Sequence, residues 1–346
     1  MRRVTSAVMI GAALLLAACS SSSSSSSSTP GNSTGTSDAP PVTVRLGFLT
    51  NITHAPALVG LKEGFFAKAL GSAGTLDPTA FSTGTEETTA LLAGQLDAAY
   101  VGPNPAINAW EKSGGTAIKV ISGAATGGAS VVVAKGITSV GQLRGKTLAT
   151  PSLGNTQDVA LRYWLKQNGL TTTTTGGGDV FLKPTTPNSA AVLEFKSGQI
   201  AGGSEPAPYD VEMVKDGGTV LLTETGVTTL LVVTQTFLSA HPAVVADLIK
   251  AQIQANDFIK SDPAAAETAA NSELAAYTGK PLKASIVAAS FSEITFTDDP
   301  DAASLTSDAA QATSLGLLKP VNLSGIFDLA PLNQALAAAG QPQVSS

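Results

Sequence analysis

The chain has 346 residues, of which 43% are hydrophobic and 13% are charged, and its formal net charge at pH 7 is −6. This length and hydrophobic content suffice for a large body with a sizeable core. An acidic chain is a poor candidate for binding nucleic acid or anionic lipid surfaces, so we expect no nucleic-acid partner.

Residues 1–18 predict a signal peptide. Arg2 and Arg3 form a short positive region, and the apolar segment from Ala7 to Ala18 is too short to cross about 30 Å of hydrocarbon as a helix. Small residues precede Cys19, as in the bacterial lipobox, so we expect Cys19 to carry a lipid. The alternative is an ordinary signal peptide followed by a chance cysteine. Because Cys19 is the only cysteine, we expect no internal disulfide.

Residues 19–41 predict the lipid-bearing cysteine and a flexible tether. An unbroken run of serines at 20–28 is followed by Gly, Ser, Thr and Pro. Such a segment has no large apolar side chains to bury, so it is not expected to fold by itself.

Alternating strands and helices begin at Val42. The patterns predict strands at 42–49, 75–82 and 97–101, each followed by a helix, with helices beginning near residues 56, 84 and 103. The first of these helices is expected to run to about Ala69. In the second, Leu91, Leu92 and Leu96 are expected to face the core. Short strand–helix units of this kind indicate an α/β fold.

The same alternation continues through the second half of the chain. Further strands are predicted at 117–124, 130–134, 146–150, 180–182, 199–202 and 230–236, and further helices at 189–196 and 208–215. Another helix is expected to open at 153–158, a polar loop at 171–178, and an alanine-rich helical region from Pro242 onward. We expect Trp110 and Trp164 to lie in the core and His241 to be structural.

Several segments in order resemble the substrate-binding lipoproteins of ABC importers, in particular the sulfonate, taurine and nitrate type. The resemblance rests on the lipobox, the serine linker and residues 44–58, 60–66, 100–108, 150–160 and 239–245. It implies a two-lobed, periplasmic-binding-protein-like α/β fold of type 2, with a ligand cleft between the lobes. Lobe 1 would comprise 42–128 and 229–346, and lobe 2 would comprise 129–228.

The resemblance also implies a function and a location. The chain would be a monomeric solute-binding lipoprotein, anchored through lipid on Cys19 at the extracytoplasmic face of the cell membrane. It would deliver a small-molecule ligand to an ABC permease. One departure leaves the identity of the ligand open, because the segment around Glu205 and Pro206, Trp-rich in many relatives, has Tyr209 as its only aromatic residue.

Strand-to-helix turns are the candidate ligand contacts. In an open parallel sheet, ligands bind beyond the carboxyl ends of strands, where helix N-termini attract anions. The predicted ligand-binding residues are Asn51, His54, Thr85, Gly102, Asn104, Gly128, Asn155, Thr156, Glu205 and Tyr209. The alternative is that the Asn and Thr residues only cap helices. For His54, Glu205 and Tyr209, the alternative is a position away from the cleft.

The arginines favour a monoanionic ligand. After the signal peptide the only arginines are Arg45, Arg144 and Arg162, and none lies in these turns, so an arginine clamp is not expected. An aliphatic sulfonate or taurine fits this pattern, and Glu205 would pair with the taurine ammonium. Nitrate, a thiamine-pyrimidine precursor and a betaine remain alternatives on the same fold.

We expect no catalytic residues, metal or cofactor. Two widely separated histidines and one cysteine cannot form a conventional zinc site. An enzyme or a sensor lipoprotein on this fold are the remote alternatives.

Overall fold

The computed structural model describes residues 41–346. The predicted signal peptide, Cys19 and all of the predicted linker except Pro41 lie outside the described residues. The strands are β1 Val42–Leu49, β2 Gly74–Phe81, β3 Ala98–Val101, β4 Ile118–Gly127, β5 Ala129–Val133, β6 Thr147–Thr150, β7 Phe181–Pro184, β8 Gly202–Pro206, β9 Thr219–Glu224, β10 Val227–Thr234 and β11 Ile294–Phe296.

Helices follow most of these strands. They are α1 Ala55–Lys62, α2 Phe65–Leu70, α3 Gly84–Leu92, α4 Pro103–Lys112, α5 Thr156–Gln167, α6 Asn188–Lys196, α7 Tyr209–Lys215, α8 Gln235–Ala240, α9 Pro242–Ser261, α10 Pro263–Thr278, α11 Ala284–Ser292, α12 Ala302–Ser314 and α13 Ala330–Ala338. Two short 3-10 helices span Ile52–His54 and Val140–Leu143. Within the described residues, no helix is both long and apolar enough to cross a membrane.

The strands form two mixed sheets. The first has the order β11-β4-β10-β3-β1-β2, and the second has the order β7-β6-β8-β5-β9. In the first sheet β1 pairs in parallel with β2 and β3, while β10 runs antiparallel to β3 and β4. In the second, β6 is parallel to β7 and β8, and β5 is antiparallel to β8 and β9.

We call the part built on the first sheet lobe 1 and the part built on the second sheet lobe 2. The chain passes from lobe 1 to lobe 2 between β4 and β5, and it returns between β9 and β10. Strand β10 begins at Val227, so residues 227 and 228 lie in a lobe 1 strand although the prediction placed them in lobe 2. The division into two independently moving lobes remains a proposal.

The core of both lobes is apolar. Phe48 and Tyr100 are fully buried in lobe 1, and Trp110 is buried with its Nε1 donating to the Asn322 carbonyl at 2.9 Å. Trp164 packs partly buried against the lobe 2 core. The expectation for Leu92 is wrong, because its side chain is 40% exposed while Leu91 is buried.

Two further predicted elements differ clearly from the structure. The helix expected from Pro56 to Ala69 is divided into α1 and α2 because Gly64 adopts a left-handed conformation with φ of 70°. The strand predicted at 199–202 is instead β8, which begins at Gly202. A side chain at Gly202 would place its Cβ 2.3 Å from the Val132 carbonyl oxygen, so glycine is required for the close pairing of β8 with β5.

Candidate functional site

A small cavity lies between the two lobes, at the ends of strands from both sheets. Its open volume is about 30 Å³, far below the roughly 300–1,000 Å³ of most ligand pockets. It is lined by Leu49, Asn51, Thr53, His54, Ser82, Thr83, Gly84, Gly102, Pro105, Pro151, Asn155, Thr156, Gln157, Asn188, Pro206 and Thr228. The lobes are therefore closed on each other in this structure.

Hydrogen bonds between the lobes hold this closed arrangement. The backbone N–H of Ile52 donates to the Ala207 carbonyl at 2.8 Å, and the Tyr209 hydroxyl donates to the Thr50 carbonyl at 2.9 Å. At the opposite rim, the hydroxyls of Thr85 and Ser152 lie 3.4 Å apart. Each of these contacts joins one lobe to the other.

Helix N-termini from both lobes converge on the cavity. Thr83, Gly102 and Asn155 are the N-caps of α3, α4 and α5, and all three line it. Asn188, the first residue of α6, also lines it, and Asn51 caps the 3-10 helix that leads into α1. Free backbone N–H groups and the helix dipole make each such terminus favourable for negative charge.

None of the residues that line the cavity is an Asp, Glu, Lys or Arg. An anion bound here would be stabilised by N–H groups, hydroxyls and helix dipoles rather than by an ion pair. A cation would find no carboxylate among these residues. The cavity chemistry therefore favours a small ligand with acceptor oxygens.

His54, which lines the cavity, is a neutral hydrogen-bond donor. It is 1% exposed, and burial lowers the pKa of its imidazole to about 3. Its Nδ1 accepts the backbone N–H of Leu49 at 3.2 Å, so the proton of the neutral ring must be on Nε2. Nε2–H is then available to an acceptor on a ligand.

We therefore expect the proton NMR signal of His54 not to titrate between pH 8 and about pH 4.5. The reason is that protonation would place an uncompensated charge in a dry, buried position. The chain has two histidines, so loss of the other signal in a His241→Gln variant assigns the spectrum. Titration of the His54 signal near pH 6.5 would contradict the neutral donor described above.

Two of the three candidate asparagines, Asn51 and Asn155, act as helix caps and also line the cavity. Asn51 Oδ1 accepts the Thr53 N–H at 3.1 Å and the Thr53 hydroxyl at 2.7 Å. Asn155 Oδ1 accepts the Asp158 N–H at 2.9 Å, which leaves its Nδ2 paired with Gln157 Oε1 at 3.0 Å. The capping role is thus present at both positions, and ligand contact remains a proposal for both.

A buried ion pair orders the loop before α5. Asp158 and Arg162 are both fully buried, and Arg162 Nε lies 2.6 Å from Asp158 Oδ2. The same carboxylate accepts the Gly154 N–H at 2.8 Å and the Thr150 hydroxyl at 3.2 Å. Arg162 therefore positions the turn that carries Asn155 without entering the cavity.

Thr156 and Asn188 leave polar atoms without partners. The Thr156 hydroxyl and Asn188 Oδ1 are both buried and make no hydrogen bond. An unpaired buried polar group costs about 1–3 kcal/mol. The closed arrangement therefore has a free-energy cost from these two lobe 2 residues, which line the cavity.

Half of the predicted site residues line the cavity and half do not. The structure brings together Asn51, His54, Gly102, Asn155 and Thr156. The residues outside the lining are Thr85 at the exposed rim, Asn104 buried in α4, Gly128 between β4 and β5, Glu205 inside lobe 2, and Tyr209 at the lobe boundary. Glu205 is fully buried with no hydrogen-bond partner, so its placement does not support pairing with a ligand amine.

Several residues of the lining were not among the predicted site residues. Thr53, Thr83 and Gly84 lie in turns that were predicted to face the cleft but were not chosen individually. Asn188 follows a strand and opens a helix, which is the same signal that identified Asn155. Thr228 lies in the first part of β10, before residue 230, where that strand was predicted to begin. No sequence signal indicates that it lines the cavity.

Comparison with known proteins identifies the fold. The profile of the NMT1-like family matches residues 37–274, which is more than half of the chain. The chain is similar to the alkanesulfonate-binding protein SsuA from Xanthomonas axonopodis pv. citri bound to MOPS, with 17% identity and a TM-score of 0.71. That match covers 84% of this chain and 100% of the other. A comparison with curated protein sequences found no match.

Two further solved structures have the same fold. The nitrate-binding protein NrtA from Synechocystis PCC 6803 is 15% identical with a TM-score of 0.74, and the match covers 88% of this chain and 91% of the other. The aliphatic sulphonate binding protein SsuA from Escherichia coli is 18% identical with a TM-score of 0.61, covering 80% and 91%. The predicted periplasmic-binding-protein-like α/β fold and the predicted family resemblance are confirmed.

Proposed function

The chain belongs to the NMT1-like family, and from this and the cavity we propose that it is the extracytoplasmic solute-binding component of an ABC importer. Its ligand is a small anion held between the two lobes. The observation that carries the proposal is the convergence of helix N-termini from both lobes on a cavity without charged side chains. Three proteins of the same fold are named for binding alkanesulfonates or nitrate, which supports the same ligand class here.

Among anions, an alkanesulfonate is the first candidate. Its three oxygens are acceptors only, and they match the N–H groups of the helix termini and the Nε2–H of His54. Taurine loses the support that Glu205 would have given, because no carboxylate lines the cavity. Nitrate is the second candidate, because a cavity of about 30 Å³ favours the smallest oxyanions unless the lobes open to admit a tail.

Ligand binding couples to lobe closure in this proposal. Gly102 of lobe 1 lies against the Thr156 hydroxyl of lobe 2, and both line the cavity. Closure without ligand buries the Thr156 hydroxyl unpaired, whereas a bound oxyanion would accept from it. A ligand that offers acceptors to both lobes therefore shifts the equilibrium toward the closed state.

Calorimetric titration of the purified protein tests the ligand class. We expect heat and saturable one-to-one binding with methanesulfonate, ethanesulfonate or nitrate, and weaker binding of taurine than of ethanesulfonate, which lacks the ammonium group. Choline is the cationic control, because it is small and its single oxygen is an uncharged hydroxyl. Binding of choline, with no binding of any of the three anions, would contradict the proposal.

The membrane anchor and the permease partner are also part of the proposal. They rest on the lipobox at Cys19 and on the family resemblance, and the geometry of the cavity does not bear on them. A lipid on Cys19 and the serine run at 20–28 would tether the described body at the outer face of the membrane. A monomer on such a tether could reach a permease in the same membrane.

A further inference from the structure

The buried ion pair of α5 lies next to the lobe 2 residues that line the cavity. Asp158 is the third residue of α5, and Arg162 follows it one turn later. Their side chains are 0% and 1% exposed. The three residues before Asp158, which are Asn155, Thr156 and Gln157, all line the cavity. The pair therefore lies about one helical turn from the place where we propose that an anion binds.

Both oxygens of the Asp158 carboxylate accept hydrogen bonds. Oδ2 accepts from the Gly154 N–H at 2.8 Å and from Arg162 Nε at 2.6 Å, and Oδ1 accepts from the Thr150 hydroxyl at 3.2 Å. Arg162 also donates through Nη1 to the Thr173 carbonyl, but its Nη2 is buried and has no hydrogen-bond partner. Among the hydrogen-bond partners of Asp158 in residues 41–346, Arg162 alone carries a positive charge.

Stability alone does not account for this ion pair. Taking two charges out of water has a desolvation cost that their mutual attraction often does no more than offset, so a buried ion pair is weak evidence for stability. The unpartnered Nη2 of Arg162 adds a further cost. The position of the pair indicates a different role, because charges in the first turn of α5 act on the same space as its helix dipole.

A carboxylate without a counter-charge in this turn would oppose an anionic ligand. The N-terminus of α5 carries a partial positive charge and presents the Thr156 hydroxyl, which is buried and unpartnered. Asp158 places a full negative charge in the same turn. That charge would offset the helix dipole and repel a bound anion unless a cation compensates it.

We propose that Arg162 is a positioning residue that enables the α5 N-terminus to bind an anion by compensating the charge of Asp158, without itself contacting the ligand. The inference rests on the proposed function. The carboxylate holds the turn that leads into α5 through its hydrogen bonds with Thr150 and Gly154. Arg162 removes the electrostatic penalty that the same carboxylate would impose on the ligand.

The other helices whose N-termini reach the cavity agree with this inference. Neither α4 nor α6 has an acidic residue in its first turn. The first turn of α3 contains Glu86, which is exposed, and Glu87, which is fully buried. Burial raises the pKa of Glu87 well above its usual range, so this carboxyl retains a proton. The two buried acids in these first turns are therefore both compensated, one by a proton and the other by Arg162.

Calorimetric titration with nitrate and with methanesulfonate tests the proposal. Arg162→Gln leaves Asp158 without a counter-charge and should weaken binding about tenfold or more, because a buried charge about one helical turn from the anion is poorly screened. Asp158→Asn leaves the positive charge of Arg162 instead and should strengthen binding by about threefold or more. Asparagine keeps the shape and still offers an oxygen to the Gly154 N–H. The double variant, which removes both charges, should recover most of the affinity that Arg162→Gln loses.

The matched control is Arg144→Gln. Arg144 is an exposed arginine of lobe 2 that pairs with Asp179, and neither residue lines the cavity. Its substitution changes the net charge of the protein by the same amount as Arg162→Gln. This control should keep the wild-type affinity for both anions, since an exposed charge is screened by water and salt.

A purely structural role would weaken binding in all three variants, because each of them disrupts the same hydrogen-bond network. Wild-type affinity in Arg162→Gln would overturn the proposal, as would an unchanged or weaker affinity in Asp158→Asn. If Arg162→Gln does not fold, Asp158→Asn and the double variant still distinguish the two roles. Failure of the wild-type protein to bind either anion would contradict the proposed function, and this inference with it.

Discussion

Replacing Gly102 by Val should weaken ligand binding by about 100-fold or more and leave the protein folded. A Cβ at Gly102 would lie 2.6 Å from the Thr156 hydroxyl oxygen, and the added methyls would also fill part of the cavity. The φ of −67° at Gly102 suits any residue, so the backbone is not strained. Separation of the lobes would relieve this contact and would remove the closed state that binds ligand. Calorimetry with the best anion measures the effect.

The matched control is Gly141→Val in lobe 2, where no atom lies within 4 Å of the position a Cβ would take. In Gly102→Val, loss of the glycine N-cap of α4 should cost no more than about 1 kcal/mol of stability. The thermal unfolding temperature of this variant should therefore change little. Wild-type affinity in Gly102→Val would show that ligand does not require the close approach of these two residues. A loss of affinity in Gly141→Val of the same size would show a nonspecific effect.

Replacing Glu87 by Gln should raise the free energy of unfolding at pH 8 by more than about 1 kcal/mol, since each unit of pKa difference between the folded and unfolded states is worth about 1.4 kcal/mol. Glu87 in α3 is fully buried, neither carboxylate oxygen has a hydrogen-bond partner, and burial raises its pKa well above the usual range. The folded state therefore retains a proton that the unfolded state loses above about pH 4.5. Stability contributed by this group is full below that pH and is lost as the pH rises.

Urea denaturation at pH 5 and at pH 8 measures the difference. Glu87→Gln should be nearly neutral at pH 5 and clearly stabilising at pH 8, because only the higher pH demands an ionisation that burial opposes. Glu63→Gln, at an exposed position, should change neither value by more than about 0.5 kcal/mol. Equal effects of Glu87→Gln at both pH values would contradict the assignment of an unpaired buried carboxyl.

Strands and helices whose residues strongly prefer one secondary structure could be predicted from the local sequence. Strand β1 was predicted at 42–49 and spans Val42–Leu49, since it alternates and is rich in β-branched residues. Strand β8 was placed too early because Gly202, Gly203 and Ser204 disfavour strands in isolation. Its conformation is imposed by pairing with β6 on one side and β5 on the other, which no local pattern contains.

The candidate site was predictable where it depends on helix starts. Asn51 and Asn155 stand at turns where capping signals and cleft geometry coincide, and both line the cavity. Glu205 was predicted from the resemblance of the segment around the Glu205–Pro206 pair to the corresponding segment of relatives. In β8 successive side chains point to opposite faces, so Pro206 lines the cavity while Glu205 enters the interior of lobe 2. A one-residue shift of this kind depends on strand register, which the misplaced strand prediction could not supply.

A crystal structure of the anion-saturated protein would test the claim that a small anion binds between helix N-termini of the two lobes. We predict that the anion will lie in the cavity, with its oxygens near the first turns of α3, α4 and α5 and within hydrogen-bond distance of His54 Nε2. An anion bound instead outside this cavity, for example in the groove between α12 and residues 320–327, would contradict the claim.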